Sequence, residues 1–408
     1  MHNNRMIPRE AALAFQLTST PAGFLDDPYP WYAALREHDP VHEIAGGGVL
    51  LTRYDDALAM YREPRASSDK KIEFRPKFGD SPLYEHHTTS LVFNDPPLHT
   101  RVRRLILGAL NQKAIARMEA DVTRLVDALL ERMAGAGGVN FIDAFAARIP
   151  IEVIGNLLDV PREARGPLRA WSVAILSGLE PAPSAEVLAR GNRAVSEFST
   201  CLKDLIAERR RKPGDWDSDV LTRLIQGESD GERLTETELV HQCIFLLNAG
   251  HETTTNLIGN GLWLLLQNPG ELARLRAAPG LMNAAIEEML RTEGPIQLNN
   301  RRLTAPMELG GRTLPGGTFV TIAIGAANHD PAQFAQPERF DVARNPNRHV
   351  AFGQGAHACA GMNVARMEAR VAFARLLARF ARIEAAGEPE RDRRIRFRSF
   401  RKLPVRLD

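Results

Sequence analysis

Cysteine is scarce in this chain: three in 408 residues, at positions 201, 243 and 359, each far from the others. That spacing excludes a disulfide framework and every Cys/His pattern of a structural zinc site. Charge of one sign is also lacking. Lys and Arg total 52 against 50 Asp and Glu, a net +2. No basic field points to nucleic acid, and no polybasic face points to a membrane surface. Long apolar runs are missing, the longest falling far short of the ~20 residues of a membrane span. The opening MHNNRMIPREAALAF has neither the apolar core nor the cleavage site of a signal peptide. The expectation is a cytoplasmic, monomeric protein that binds neither nucleic acid nor membrane.

What is present is helical periodicity on a 44% hydrophobic chain, enough to fill a large core. AIARMEADVTRLVDALLERM (Ala114–Met133) spaces its apolar residues by three and four and stops at AGAGG. AEVLARGNRAVSEFSTCLKDLIAERRRK is a second amphipathic candidate. LTETELVHQCIFLLNAGHETTTNLIGNGLWLLLQNP reads as one helix, with Thr235 and Glu238 as a capping box and Pro269 as its stop. About 30 residues at ~1.5 Å each span ~45 Å, enough to cross a domain. Strand signals are few. HEIAGGGVLLTRY reads as a hairpin around Gly46–Gly48, MELGGRTLPGGTFVTIAI as two strands, and IRFRSFRKLPVRL as an alternating strand. The stretches Ser67–Val92 and Gly178–Ser184 look irregular, as lids or binding loops do. The predicted fold class is mostly α with small β-sheets, a single domain over 1–408, with 1–20 as an N-terminal segment of uncertain order.

Two stretches carry chemistry. At the centre of the long helix stands Ala249-Gly250-His251-Glu252-Thr253-Thr254. Glycine there weakens a helix by roughly 1 kcal/mol, and a buried carboxylate beside a hydroxyl needs a partner or a purpose. A charge satisfied at a helix bend is the plain alternative. The zinc motif H-E-x-x-H does not fit, because Thr255 stands at the second histidine position. The other stretch is AFGQGAHACAGMNVARMEAR (Ala351–Arg370). Glycines 353, 355 and 361 let backbone N–H groups approach the Cys359 sulfur. A helix starting just after it favours a thiolate, and Phe352 would shield it from water. One thiolate without Cys or His companions suits a cofactor that brings its other four ligands, which is haem. Cys201 and Cys243 sit in helical patterns and read as packing.

Phe352-Gly353-Gln354-Gly355-Ala356-His357-Ala358-Cys359-Ala360-Gly361 resembles the haem-binding loop of the cytochrome P450 family. Ala249-Gly250-x-Glu252-Thr253 resembles its oxygen-activating helix, and Glu288-Met289-Leu290-Arg291 its E-x-x-R. Arg339 in PERF resembles the arginine that joins that pair. DPPLHTRVRR (Asp95–Arg104) resembles the helix that reaches the haem propionates through His99 and Arg103, four apart on one face. Arg301 falls at a further propionate-binding position, and His357 at another. The resemblance runs from about Asp26 to Val405.

It implies a fold around a buried haem b and a monooxygenase that inserts one oxygen atom of O2 into a small organic substrate, by hydroxylation or oxidative dealkylation. Cys359 is then the metal ligand, and Glu252 and Thr253 are the catalytic residues that deliver protons. His99, Arg103, Arg301, Phe352, His357 and Gly361 hold the cofactor. No flavin, nicotinamide or iron–sulfur motif is present, so electrons are expected from a separate ferredoxin and ferredoxin reductase. Arg101 and Arg104 are a solvated surface or part of a basic patch for an acidic donor. A haem-thiolate sensor or a peroxide-driven oxidase is the alternative; neither needs the Glu252–Thr253 pair. For the substrate, Lys70, Lys71, Arg75, Lys77, His86 and His87 raise a carboxylate, while Asp69, Glu73, Asp80 and Glu85 offset their charge. Asn248, Val92, Leu298 and Phe245 are candidate pocket residues.

Overall fold

The computed structural model describes residues 7–216, 219–229 and 232–408. Residues 1–6 of the N-terminal segment lie outside them. From residue 7 on, that segment is folded: Arg9–Leu13 is a short helix, and Phe15 and Leu17 are buried against Phe24, Tyr29 and Tyr32.

The long helix runs Glu236–Gln267. Its capping box is complete: the Glu238 N–H donates to Thr235 Oγ1 at 3.2 Å, and the Thr235 N–H donates to Glu238 Oε2 at 2.9 Å. Two of the four orphan donors of the first turn are thereby satisfied. Because apolar residues surround it on nearly all sides, it is buried rather than amphipathic. Helices Arg148–Leu157, Leu168–Ser177, Ala185–Arg211, Met282–Thr292 and Met362–Arg379 pack around it. At Gly261 an added Cβ would stand 2.6 Å from Met289 Sδ and 2.8 Å from Phe373 Cζ. The long helix therefore meets the Met282 and Met362 helices with no room for a side chain, which fixes the helix that follows Cys359. The amphipathic helix expected from Ala114 starts slightly earlier, at Gln112, and ends at Met133 as expected.

The sheets sit at the margin. A five-stranded sheet has the order Val41–Ile44, Gly48–Leu51, Phe319–Ala323, Leu298–Leu303, Ala66–Ser67. The hairpin at Gly46–Gly48 forms as expected. The stretch expected as two strands makes three. Met307–Leu309 and Arg312–Leu314 form a hairpin of their own. Phe319–Ala323 leaves it for the large sheet, because Pro315 and the positive φ of Gly317 redirect the chain. The C-terminal stretch is likewise split. Phe400–Lys402 and Pro404–Leu407 are strands of different sheets, and 392–399 is a strap without ladder pairing apart from an isolated bridge at Phe397.

Residues 67–92 are not irregular. They hold helices Lys71–Phe78 and Pro82–Thr89. Ser81 caps the second and Pro82 opens it, and Phe74, Phe78 and Leu83 are buried in the main core. Tertiary packing stabilises these short helices where periodicity is too brief to show them. The loop at 178–184 remains a loop.

The E-x-x-R pair is completely buried. Arg291 donates from Nε to Glu288 Oε2 at 2.8 Å and from NH2 to Oε1 at 2.9 Å. The arginine that joins them is not Arg339. Arg339 contributes only its carbonyl oxygen, accepting from Arg291 and Arg344 at 3.2 and 2.9 Å. The guanidinium on Glu288 belongs to Arg344. The Arg339 guanidinium meets Gln336 instead, and a turn closed by the Arg344 N–H on the Asp341 carbonyl separates the two arginines. Among the described residues, no helix is long and apolar enough to cross a membrane.

Candidate active site

Cys359 lies between a short turn, Gly355–His357, and the helix Met362–Arg379. Its N–H donates to the Phe352 carbonyl at 2.9 Å, closing the loop. Gly355 has φ +72°, and a Cβ on it would strike the Tyr61 carbonyl oxygen at 2.4 Å, so only glycine lets the loop lie this close. Burial raises the Cys359 thiol; the Gly361 N–H and the guanidinium groups of Arg103 and Arg366 pull it the other way. Arg366 is held by Glu287 through two bonds of 2.7 Å and stands over the Phe352 ring, 4.7 Å from its centroid. The loop thus carries the N–H donor and the positive charge that a thiolate requires.

Four more expected residues converge beside it. The rings of His99 and His357 meet at a tilt of 38° with centroids 4.0 Å apart. His99 is buried, and neither of its ring nitrogens has a partner. Burial, then Arg103, lowers His99; burial, then His99, Arg301 and Arg103, brings His357 down to about 3. Both imidazoles are therefore neutral near pH 7. Arg301 is buried, bonded to the Asn299 side chain at 3.2 Å and the Asn300 carbonyl at 2.9 Å. Its strand neighbour Arg302 points to the opposite face, over Phe319. Among the described residues, neither Arg103 nor Arg301 has a carboxylate ion-pair partner. A buried guanidinium, a half-buried one and an unsatisfied buried imidazole stand together without the carboxylate oxygens that such donors take.

Glu252 and Thr253 do not bond to each other. The Thr253 hydroxyl donates to the Ala249 carbonyl at 2.7 Å. Glu252 is buried and ion-paired with Arg394, a residue that sequence reasoning missed. Its signal was the run of arginines in RDRRIRFRSFR, which reads as a strand while no partner is in view. Burial raises the Glu252 carboxyl and Arg394 opposes that.

The basic stretch before the Asp95 helix is largely neutralised. Lys71 pairs with Asp69 at 2.6 Å, Lys70 with Glu73 at 2.7 Å, and Arg75 with Asp80. His86 and His87 are buried, not cationic: burial pushes His86 well down and His87 to about 3. His86 Nε2 lies 3.2 Å from Asn248 Nδ2 on the long helix. What remains is a cleft of about 300 Å³ lined by Lys70, Phe74, Val92, Leu179, Arg301 and Arg396, among others. Val92 is where it was expected. Leu298 and Phe245 are not in the lining; they pack into separate apolar clusters. Arg101 is turned to Glu238 at 2.5 Å, and so is not a free patch residue. Cys243 is fully buried in the core, its thiol pushed up to about 12, and Cys201 is half-buried.

Comparison with known proteins agrees with this geometry. A family model described as Cytochrome P450 matches residues 183–278 and 280–404. Cytochrome P450 107B1 of Saccharopolyspora erythraea is 40% identical, covering 94% of this chain and 96% of that protein. Cytochrome P450 monooxygenase PikC of Streptomyces venezuelae is 37% identical over 87% of this chain and 84% of its own. The crystal structure of P450BioI in complex with hexadec-9Z-enoic acid ligated Acyl Carrier Protein superimposes with a TM-score of 0.90, at 32% identity, over 95% of this chain and 100% of that one.

Proposed function

The chain belongs to the cytochrome P450 family of haem-iron monooxygenases, and from that premise we propose that residues 1–408 form one catalytic domain built on haem b with Cys359 as the iron ligand. The observation that carries the assignment is the sulfur of Cys359, faced by the Gly361 N–H and by Arg103 and Arg366. Arg103, Arg301, His99 and His357 fit the propionates: both His99 ring nitrogens are unpartnered, and neither guanidinium has a carboxylate ion-pair partner among the described residues. Phe352 closes the loop over the sulfur. Bound haem supplies dioxygen activation and the transfer of one oxygen atom to substrate.

The chain's own part is positioning and proton movement. Glu252, buried and with one oxygen unpartnered, takes a proton from the solvent side and passes it inward. Thr253 presents a hydroxyl one residue on, in a helix that is buried along most of its length. A buried carboxylate in such a helix is costly, and this favours turnover with O2 over a sensor or a peroxide-driven oxidase, neither of which uses it. Electrons arrive from a separate ferredoxin and its reductase, in the cytoplasm, and the enzyme acts as a monomer.

The substrate is a small organic molecule, hydroxylated or oxidatively dealkylated. Phe74, Val92 and Leu179 offer it apolar surface, and Arg396 brings positive charge to the same cleft beside the Lys70–Glu73 pair. A hydrocarbon body bearing a carboxylate suits that lining. The P450BioI complex offers only the hydrocarbon half of this likeness, a long acyl chain ligated to a carrier protein.

The test is the reduced carbon monoxide difference spectrum. Wild type is expected to give the band typical of thiolate coordination, and Cys359→Ser to lose it. Retention of that band in Cys359→Ser would remove the ligand assignment.

A further inference from the structure

The strap at 392–398 carries arginines at every turn, and each has a separate partner. Arg398, buried, holds Glu293 at 2.7 Å and the carbonyls of Leu25 and Asp26 at 3.1 and 2.9 Å. Arg396 donates to the carbonyls of Leu179 and Leu298 at 3.2 and 3.3 Å and to Asn300 Oδ1 at 2.5 Å. Arg394 donates from Nε to Asp392 Oδ2 at 2.7 Å and from NH2 to Glu252 Oε1. Its guanidinium lies over the Phe397 ring, 4.9 Å from the centroid, so it is fixed on two edges and one face.

The C-terminal half of the strap is held by Glu293 through Arg398 and by the Gln297 and Arg398 backbone bonds; the stretch next to Arg394 is tied to the cleft loop by one carboxylate. Glu180, in the loop 178–184, accepts from the Ile395 N–H at 2.8 Å and from the Arg396 N–H at 3.3 Å. Glu180 is thus bonded to the backbone directly after Arg394. Its own loop lines the cleft through Leu179 and is tied to the Lys71 helix by Lys77, whose Nζ donates to the Glu180 carbonyl at 2.6 Å. The chain of contacts runs from the cleft loop, through Glu180 and the strap backbone, to Arg394 and then to Glu252.

We propose that Arg394 is the positioning residue for Glu252, and that Glu180 sets Arg394 in place from the cleft loop. When the loop at 178–184 is seated, the strap is seated and Glu252 is held as a carboxylate in one orientation. When the loop lifts, the two strap N–H bonds to Glu180 go with it, and the hold on the acid loosens. Proton delivery is thereby tied to closure over substrate. The charged groups facing Glu252 are Arg394, Asp392 and Glu180; with Arg394 gone, only the two acids remain, and the buried carboxyl has every reason to keep its proton. This rests on the assignment of Glu252 as proton carrier, but its test does not.

The test is infrared detection of the protonated Glu252 carboxyl at pH 7 in the haem-loaded protein, identified by difference against Glu252→Gln. The wild type is expected to show no such band, Arg394→Gln to gain it, Arg394→Lys to restore the wild-type spectrum, and Glu180→Ala, which removes both acceptors of the strap N–H groups, to gain a weaker band of the same position; Glu180→Gln, which keeps an acceptor and removes an acid facing Glu252, is expected to show none. In parallel, kcat of Arg394→Gln is expected to fall by roughly 10²-fold, the lower end of what a positioned proton donor contributes, with the solvent isotope effect rising and substrate affinity unchanged. A spectrum of Arg394→Gln or of Glu180→Ala identical to wild type overturns the proposal. Failure of the proton-carrier assignment is a different result: Glu252→Gln would then turn over normally while the infrared bands still behaved as described.

Discussion

Arg344 reaches the buried carboxylate of Glu288, its Nε standing 3.0 Å from one oxygen and 3.1 Å from the other. With Arg291 on the same two oxygens and Asn347 donating to Oε2 at 3.1 Å, the carboxylate is saturated. Two guanidinium groups around one buried acid cross-link the Met282 helix to the segment that leads into the cysteine loop.

Removing Arg344 leaves Glu288 with Arg291 as its one guanidinium partner. Arg344→Ala is expected to destabilise the fold by about 1.5–3 kcal/mol, the range for a hydrogen bond to a charged group, read as a shift in the urea midpoint. Arg339→Ala, whose guanidinium makes only a 3.5 Å contact with Gln336, is expected to stay within about 0.5 kcal/mol of wild type. Equal costs would show that Arg339 shares the load.

Arg103 is expected to matter for haem retention and little for folding, since it has no ion-pair partner among the described residues. Losing a charge-assisted hydrogen bond costs about 1.5–3 kcal/mol. Arg103→Ala should therefore lose haem to apomyoglobin ten- to a hundredfold faster, at roughly 1.4 kcal/mol per decade. An unchanged transfer rate would separate Arg103 from the cofactor.

For Thr253 the hydroxyl is the part that counts. Thr253→Ala should keep substrate binding and the reduced carbonyl band, while product per O2 consumed falls steeply and peroxide rises. Thr253→Ser, which retains the hydroxyl, should recover most of the coupling. Unchanged product yield in the alanine variant would end the proposed role.

Glu287 gives a pH dependence with a definite sign. Burial raises its carboxyl, but hydrogen bonds from His349 and Arg366 outweigh that and hold it at about 2. A carboxyl depressed in the folded state stabilises it above the ordinary carboxylate range, and that contribution drains away as pH falls toward 2. Glu287→Gln is expected to cost about 2–3 kcal/mol at pH 7, with the gap to wild type closing on acidification. A gap that stays constant from pH 7 to pH 3 would contradict this.

The cleft chemistry predicts a preference between ligands that differ in one group. A fatty acid should shift the haem band toward high spin at lower concentration than its methyl ester, by roughly tenfold or more for one charge-assisted contact. Equal affinities would remove the carboxylate from the substrate reading.

Much of this was legible in the sequence because it rests on local chemistry. The capping box at Thr235 and Glu238, the glycines around Cys359 and the four-residue spacing of His99 and Arg103 are all set by residues within one turn of each other, and each appears where expected. The helices at Lys71–Phe78 and Pro82–Thr89 were not legible, since eight residues are too few for a period to stand out and their stability comes from the core beneath them.

The partners of buried charges are the other kind of information. Arg344 rather than Arg339 on Glu288, Arg394 on Glu252, and Glu180 beneath the strap all join residues that lie far apart in the chain. Such pairs form only where tertiary packing removes water and leaves a charge one place to go, so arginine-rich stretches look alike until the fold assigns each its acid. The sequence by itself determined the cysteine loop, the long helix with its acid and alcohol, and the family they define. Which arginine holds which carboxylate was decided by burial, and burial exists only in the folded chain.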